Sequence, residues 1–354
     1  LLTHYSGLPT IGTARARDES EAFSVEAYIE RYARVVRPPK EVYAYSNPGF
    51  VIVGYLIGVF SGLPWPVYMK ENVLKPLEMK SSGFYLTPQL KKSMSVGYDQ
   101  DDPGKPIEPV KPYISGIVPP AASGSLFSTV IDMAKFVIAQ LNGGVYKGRR
   151  ILKEETLREM QRLQVAAGNS TSGVALTWNR FWHHGHIVIR HTCGMLGWVG
   201  HVAFYPDLKI GVVWSTNLSD GTGWRPPAPT VLRMVAGEYR PFNPETVRVK
   251  TIPDEWTRIA GTYGSPGQKQ IIRIEDGCLI MGEGKNTVFL ERIDGMKYLI
   301  HGGLNDGYEV TFECDDRGKV KQFDLGTSIV PRHLTGSWRV NHTTDPQLFK
   351  LVLE

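Results

Sequence analysis

The chain has 354 residues, 42% of them hydrophobic, with 40 Lys and Arg against 35 Asp and Glu for a formal charge of +5. That length suits two domains, and the slight, scattered positive charge, not clustered with aromatics, excludes a nucleic-acid-binding footprint. No run of about 18 apolar residues is present, so no membrane span is expected, and Cys193, Cys278 and Cys314 lack CxxC spacing and imply no disulfide framework. No charged n-region with an apolar h-region opens the chain, so no secretory signal is visible and the cytoplasm is favoured over secretion.

Ser24 caps a predicted helix running to Arg34, and Pro38-Pro39 then breaks the chain. Tyr43-Ala44-Tyr45-Ser46-Asn47-Pro48-Gly49 reads as a turn carrying two phenols and an amide. The helix that follows, about Phe50 to Phe60, is apolar on nearly every face and is expected to be buried. Ser61-Gly62 closes it, and Pro64 opens another helix with Val67, Met69 and Val73 that stops before Pro76. Residues 83–122, with seven prolines, read as a long loop-rich connection. Ser128-Thr129-x-x-Asp132 is a helix start of capping-box type. Its helix carries the apolar stripe Ile131, Ala134, Ile138 and Leu141, and Gly143-Gly144 ends it. Lys153 to Gln164 is a further helix, with Leu157, Met160 and Leu163 on one face. Strand signals begin at Val174, His183-His184-Gly185 marks a hairpin tip, and a helix is predicted from about Pro227 to Gly237. Beyond Pro241–Pro253 the helical periods vanish. Short alternating runs then recur at Ile271–Ile274, Cys278–Met281, Val288–Arg292, Tyr298–His301, Tyr308–Glu313 and Val320–Leu325, the pattern of a small all-β sandwich or barrel.

One stretch invites chemistry. His186 to Arg190 leads into His191-Thr192-Cys193-Gly194-Met195-Leu196-Gly197-Trp198, and strand-like runs Val199–Tyr205 and Ile210–Ser215 follow across the turn Pro206-Asp207. A histidine is thus expected where one strand ends and a glycine-rich bend starts. Glycine there lets backbone N–H groups approach a ligand, which is how an oxyanion site is commonly built. The stretch reads equally as an ordinary meander with a structural histidine. His183, His184, His186 and His191 suggest zinc, but no helical His-x-x-x-His pair or second ligand cluster accompanies them, so no metal or other cofactor is expected. Cys193 reads either as a thiol lining the pocket or as a nucleophile with His191 two residues away.

Other stretches stand in a telling order: Leu1-Leu2-Thr3-His4-Tyr5-Ser6-Gly7-Leu8-Pro9, Tyr45-Ser46-Asn47, the run through Gly54, Gly62 and Pro76-Leu77-Glu78-Met79, Ser123–Thr129 with Asp132, and His191-Thr192-Cys193-Gly194. Together they resemble the serine hydrolases of the class C β-lactamase and penicillin-binding-protein fold, with their esterase, D-aminopeptidase and transesterase relatives. The first is similar to the segment after the family's nucleophile helix, the second to its Tyr-x-Asn motif, the last to its His/Lys-x-Gly motif. The resemblance implies an α/β (α+β) β-lactamase/transpeptidase-like domain, residues 1–240, with an antiparallel sheet and a helical cluster. After a linker at 241–252, residues 253–354 resemble the lipocalin-like β domain, a small all-β barrel, that some members carry.

By this resemblance the chain would be a serine hydrolase or acyltransferase acting on an ester, amide or lactam through an acyl-enzyme. Tyr45 would be the base, its phenol made more acidic by neighbouring cations, the third-motif residue among them. Asn47 would bind a substrate carbonyl, and His191 would hold Tyr45 or a substrate carboxylate. The N–H of Gly194 would donate to the oxyanion, with Thr192 and Cys193 lining the pocket; Cys193 stands where the family usually has glycine. The family's Ser-x-x-Lys occurs nowhere in the 354 residues. The nucleophile and its lysine are therefore expected upstream of Leu1, and the 354 residues alone are expected to be inactive. The expected partners are a small-molecule or peptide substrate and the chain's own N-terminal segment or a second chain, with oligomerisation left open. The alternative is a non-hydrolytic or non-catalytic member using the same pocket for binding, isomerisation or lyase chemistry.

Overall fold

A computed structural model of the chain describes residues 1–10, 15–17, 19–100, 106–166, 172–220, 228–264, 269–284, 287–303, 306–324, 329–331, 338–342 and 349–353. The chain divides into two compact units, Leu1–Ala166 with Thr171–Tyr239, and a second built from Arg240–Glu354.

The first unit holds helices α1 (Val25–Tyr32), α2 (Asn47–Ser61), α3 (Trp65–Met69), α4 (Pro88–Ser93), α5 (Val130–Leu141), α6 (Glu154–Gln161) and α7 (Ala228–Val235). Their starts follow from the sequence. Ser24, Ser46, Thr87 and Thr129 each accept a first-turn backbone N–H through the side chain, a contact worth about 1 kcal/mol. Gly62 ends α2 in the left-handed conformation. Strands β1 (Gly97–Gln100) and β2 (Glu108–Val110) arise inside the proline-rich region. The main sheet is an antiparallel meander of six strands in sequential order: β3 (Val165–Ala166), β4 (Gly173–Val174), β5 (Asn179–His183), β6 (His186–Met195), β7 (Trp198–Tyr205) and β8 (Ile210–Thr216). A last short strand, β9 (Leu218–Asp220), pairs in parallel with β1.

Alternation along β6 puts Ile187, Ile189, His191 and Cys193 on one face of the sheet and Val188 on the other. The first face packs against α5, where Val137, Trp178, Ile189 and Phe204 are buried together. The second packs against α7 through Val188, Ala203, Tyr205, Ala228 and Leu232. The helical part has its own core of Trp65, Leu74, Leu77, Phe84 and Tyr146, with the Trp65 indole N–H donating to Pro120 O at 2.6 Å.

Four expectations from the sequence are corrected. Helix α2 is not buried all round: Pro48, Val51 and Gly54 face inward, while Val59 is exposed and Phe60 is 85% exposed. Helix α5 does not bury Ile131 and Ile138, which are exposed; Val137 and Gln140 turn inward instead. The cause is Asp132, whose carboxylate accepts from Ser81 N–H, Ser82 Oγ and Lys135 Nζ at 2.8, 2.8 and 2.6 Å and is thereby buried. Asn47 lies in the first turn of α2, not in a turn before it, because Ser46 already caps the helix. Finally, β6 does not end at His191 but runs on to Met195, since cross-strand pairing with β7 continues to Met195↔Trp198. Among the described residues no single helix is long and apolar enough to cross a membrane.

The second unit carries a short 3-10 turn (Pro244–Thr246) and α8 (Asp254–Ile259), and continues as an eight-stranded antiparallel meander, Gly261–Tyr263 to Ile329–Pro331, seven strands of which form a nearly closed barrel-like sheet. Tyr263, Tyr298, Phe312 and Phe323 pack against one another in its core. The helix α8 and the first strand were not foreseen from the sequence, because each is too short to show a period.

Candidate active site

Tyr45 sits immediately before the N-cap of α2, and its side chain is 43% exposed. Its surroundings come from the start of the chain. His4 is buried, takes φ +60° and lies with its ring 4.3 Å from that of Tyr45 and 5.1 Å from that of Phe50. Few residues other than glycine adopt that backbone region, and such positions cluster at functional sites. The Ser46 N–H donates to His4 Nδ1 at 2.9 Å. Nδ1 is therefore the acceptor and the ring proton sits on Nε2.

The other wall is β6. Strand β5 accompanies it only from His186↔His183 to Arg190↔Asn179, whereas β7 pairs with it to Met195. Among the described residues, His191–Met195 thus have a strand neighbour on one side alone, and part of their backbone N–H and C=O groups face away from it. Cys193 is exposed and lies opposite Gly200. A Cβ at Gly200 would fall 2.8 Å from Cys193 Sγ, so glycine there makes room for the thiol. The turn ending β6 is braced by the proline-rich region. Gly197 N–H donates to Ser219 Oγ at 2.7 Å, Ser219 Oγ donates to Asp99 Oδ1 at 2.5 Å, and the Trp198 indole donates to Ser95 Oγ at 3.0 Å.

The electrostatics join these walls. Burial raises the Tyr45 phenol above its ordinary value, and charge on Cys193 adds to the rise. Burial lowers His191, against a hydrogen bond with the Thr192 backbone. Burial also lowers His4, to about 4, with the charge of His191 adding to the effect. Tyr45 packs against His4 and feels the charge of Cys193, and His4 feels that of His191, with Gly194 next along the strand. Thr192 alternates to the opposite face from His191, and Asn47 heads α2 two residues beyond Tyr45. Burial thus favours the uncharged form of Tyr45, His191 and His4 alike.

His4 was the residue that sequence reasoning missed. It belongs to the opening motif, but its partners lie some forty residues on and no local pattern announces them. The remaining histidines disperse. His183 and His186 are cross-strand partners around a turn at His184-Gly185, both with positive φ. His183 Nδ1 lies 2.7 Å from Tyr205 Oη, and His186 is held by Asp207 and Glu238. By alternation His186 stands on the sheet face opposite to His191.

The chain belongs to the beta-lactamase family, a serine hydrolase family, whose model matches residues 1–236. It is 25% identical over 321 residues to Beta-lactamase-like protein 2 of Dictyostelium discoideum, a match covering 82% of this chain and 56% of that protein. It is 24% identical over 245 residues to Unguisins hydrolase ungD of Aspergillus violaceofuscus, covering 61% and 42%. The chain thus spans about half the length of these two relatives. Among solved structures, the octameric penicillin-binding protein homologue from Pyrococcus abyssi shares the fold, with a TM-score of 0.53 at 21% identity over 93% of this chain and 76% of that one.

Proposed function

We propose that the first unit carries the acyl-transfer site of a serine hydrolase or acyltransferase, acting on an ester, amide or lactam through an acyl-enzyme. The observation that supports this most is the packing of Tyr45 against the buried His4, with the charge of Cys193, on an open strand edge, acting on its phenol. In this reading Tyr45 takes the proton of the attacking serine and returns it to the leaving group. The Gly194 N–H donates to the oxyanion, a contribution of roughly 3–4 kcal/mol in the transition state. The Asn47 amide donates to a substrate carbonyl, and His191 hydrogen-bonds Tyr45 or a substrate carboxylate as a neutral ring.

A phenol whose pKa is raised by burial is a poor base until a cation stands beside it. A lysine of the Ser-x-x-Lys type supplies that cation, and the reading assigns it and the nucleophile to residues outside these 354. The absence of Ser-x-x-Lys within them also favours a second reading, in which the pocket serves binding or non-hydrolytic chemistry. Treating the full natural protein with a fluorophosphonate probe separates the two. A labelled serine in a Ser-x-x-Lys supports acyl transfer, and a protein that stays unlabelled supports the second reading.

A further inference from the structure

We propose that His4 is the positioning residue of this site, holding Tyr45 in its working orientation by gripping the chain on both sides of it. The inference rests on the reading of Tyr45 as the base.

The Ala44 N–H donates to His4 O at 2.8 Å, and the Ser46 N–H donates to His4 Nδ1 at 2.9 Å. The residue between these two anchors is Tyr45, and the imidazole itself lies against its ring, with centroids 4.3 Å apart and planes 31° apart. Tyr43 meets the same imidazole edge-on at 5.7 Å, and Phe50 lies 5.1 Å away. One residue thus fixes the backbone before Tyr45, the backbone after it and one side of its ring. The same grip reaches α2: Ser46 Oγ accepts from Gly49 N–H at 3.3 Å as the helix cap, so Asn47 is placed by the same anchor.

The arrangement needs a neutral imidazole. Only an unprotonated Nδ1 can accept from Ser46 N–H. Burial supplies that condition, since it keeps His4 uncharged far below neutral pH. His4 touches no reacting atom in this scheme. It acts through Tyr45, so its loss should lower the rate of the chemical step and leave ground-state substrate binding nearly intact.

The test uses the full natural protein and a chromogenic ester, with kcat expressed per active site counted by exhaustive fluorophosphonate labelling. His4→Phe keeps a ring and removes the acceptor; His4→Asn keeps an acceptor near the Nδ1 position and removes the ring. His4→Phe is expected to lower kcat roughly ten- to a hundredfold, as for a small misplacement of a catalytic group, with KM nearly unchanged. His4→Asn should recover part of the loss. In a Tyr45→Phe background neither change should lower kcat further. Unchanged kcat per site in both His4 variants, with Tyr45→Phe inactive, would overturn the role of His4 and leave Tyr45 standing. A raised KM at unchanged kcat would overturn it too. Wild-type kcat in Tyr45→Phe would remove both roles.

Discussion

Gly197→Ala should destabilise the protein sharply, through the turn that anchors the candidate oxyanion strand. Gly197 has φ +89°, and a Cβ there would lie 2.2 Å from Val110 Cγ2 and 3.1 Å from Gly97 Cα. Forcing a side chain into positive φ costs roughly 1–2 kcal/mol. Overpacking against Val110 and the β1 backbone adds about 1–3 kcal/mol. The sum, roughly 2–5 kcal/mol, is a large part of the total stability of a typical domain. Urea unfolding of the parent, Gly197→Ala, Val110→Ala and the double variant measures it as a cycle. Removing Val110 Cγ2 should recover the overpacking part and leave the backbone part. A Gly197→Ala midpoint equal to that of the parent would refute the reasoning. A coupling of zero in the cycle would refute the contact with Val110.

Two further outcomes are expected. His186 is pulled down by burial, but Asp207 Oδ2 at 2.5 Å and Glu238 Oε1 at 3.2 Å outweigh that and hold it above its ordinary value. A group raised on folding contributes stability that is complete below its unfolded pKa and is lost as pH rises through the folded value. The stability difference between wild type and His186→Gln should therefore shrink as pH rises from about 6.5 upward; a difference constant with pH in urea titrations would contradict the clamp. Cys193 is exposed, Cys278 buried and Cys314 intermediate. A thiol reagent applied to the native protein should modify Cys193 first by peptide mapping and block turnover of the full natural protein, whereas first modification of Cys278 would contradict the exposed position of the β6 thiol.

Most elements were legible because their signals are local. Ser24 and Thr129 cap helices where their side chains can reach the first-turn N–H groups, and the hairpin turn at His184-Gly185 carries two positive φ values. The orientation of α2 was illegible, because a helix apolar all round has no phase to read. The face of α5 was misread for a different reason. Asp132 is polar but inward, and only its three partners, two of them about fifty residues away, make that affordable. The strand β6 was expected to stop at His191, where the glycine-rich stretch starts, yet glycine stays extended when the neighbouring strand goes on pairing. At the site, the residue types of Tyr45, His191 and Cys193 were visible in the motifs. The lowering of His191 was not, since it depends on burial. His4 was invisible as a partner of Tyr45, because contact across that separation depends on the fold.

The role of Tyr45 is tested most directly by the rate of acyl-enzyme formation. The full natural protein and its Tyr45→Phe variant would be incubated with a p-nitrophenyl ester and followed by intact-mass spectrometry with peptide mapping. The expected result is an acyl adduct on a serine of a Ser-x-x-Lys motif, formed at least about a hundredfold more slowly in Tyr45→Phe, as for loss of a general base. Acylation of Tyr45→Phe at the wild-type rate, or an adduct on Cys193 instead of a serine, would contradict it.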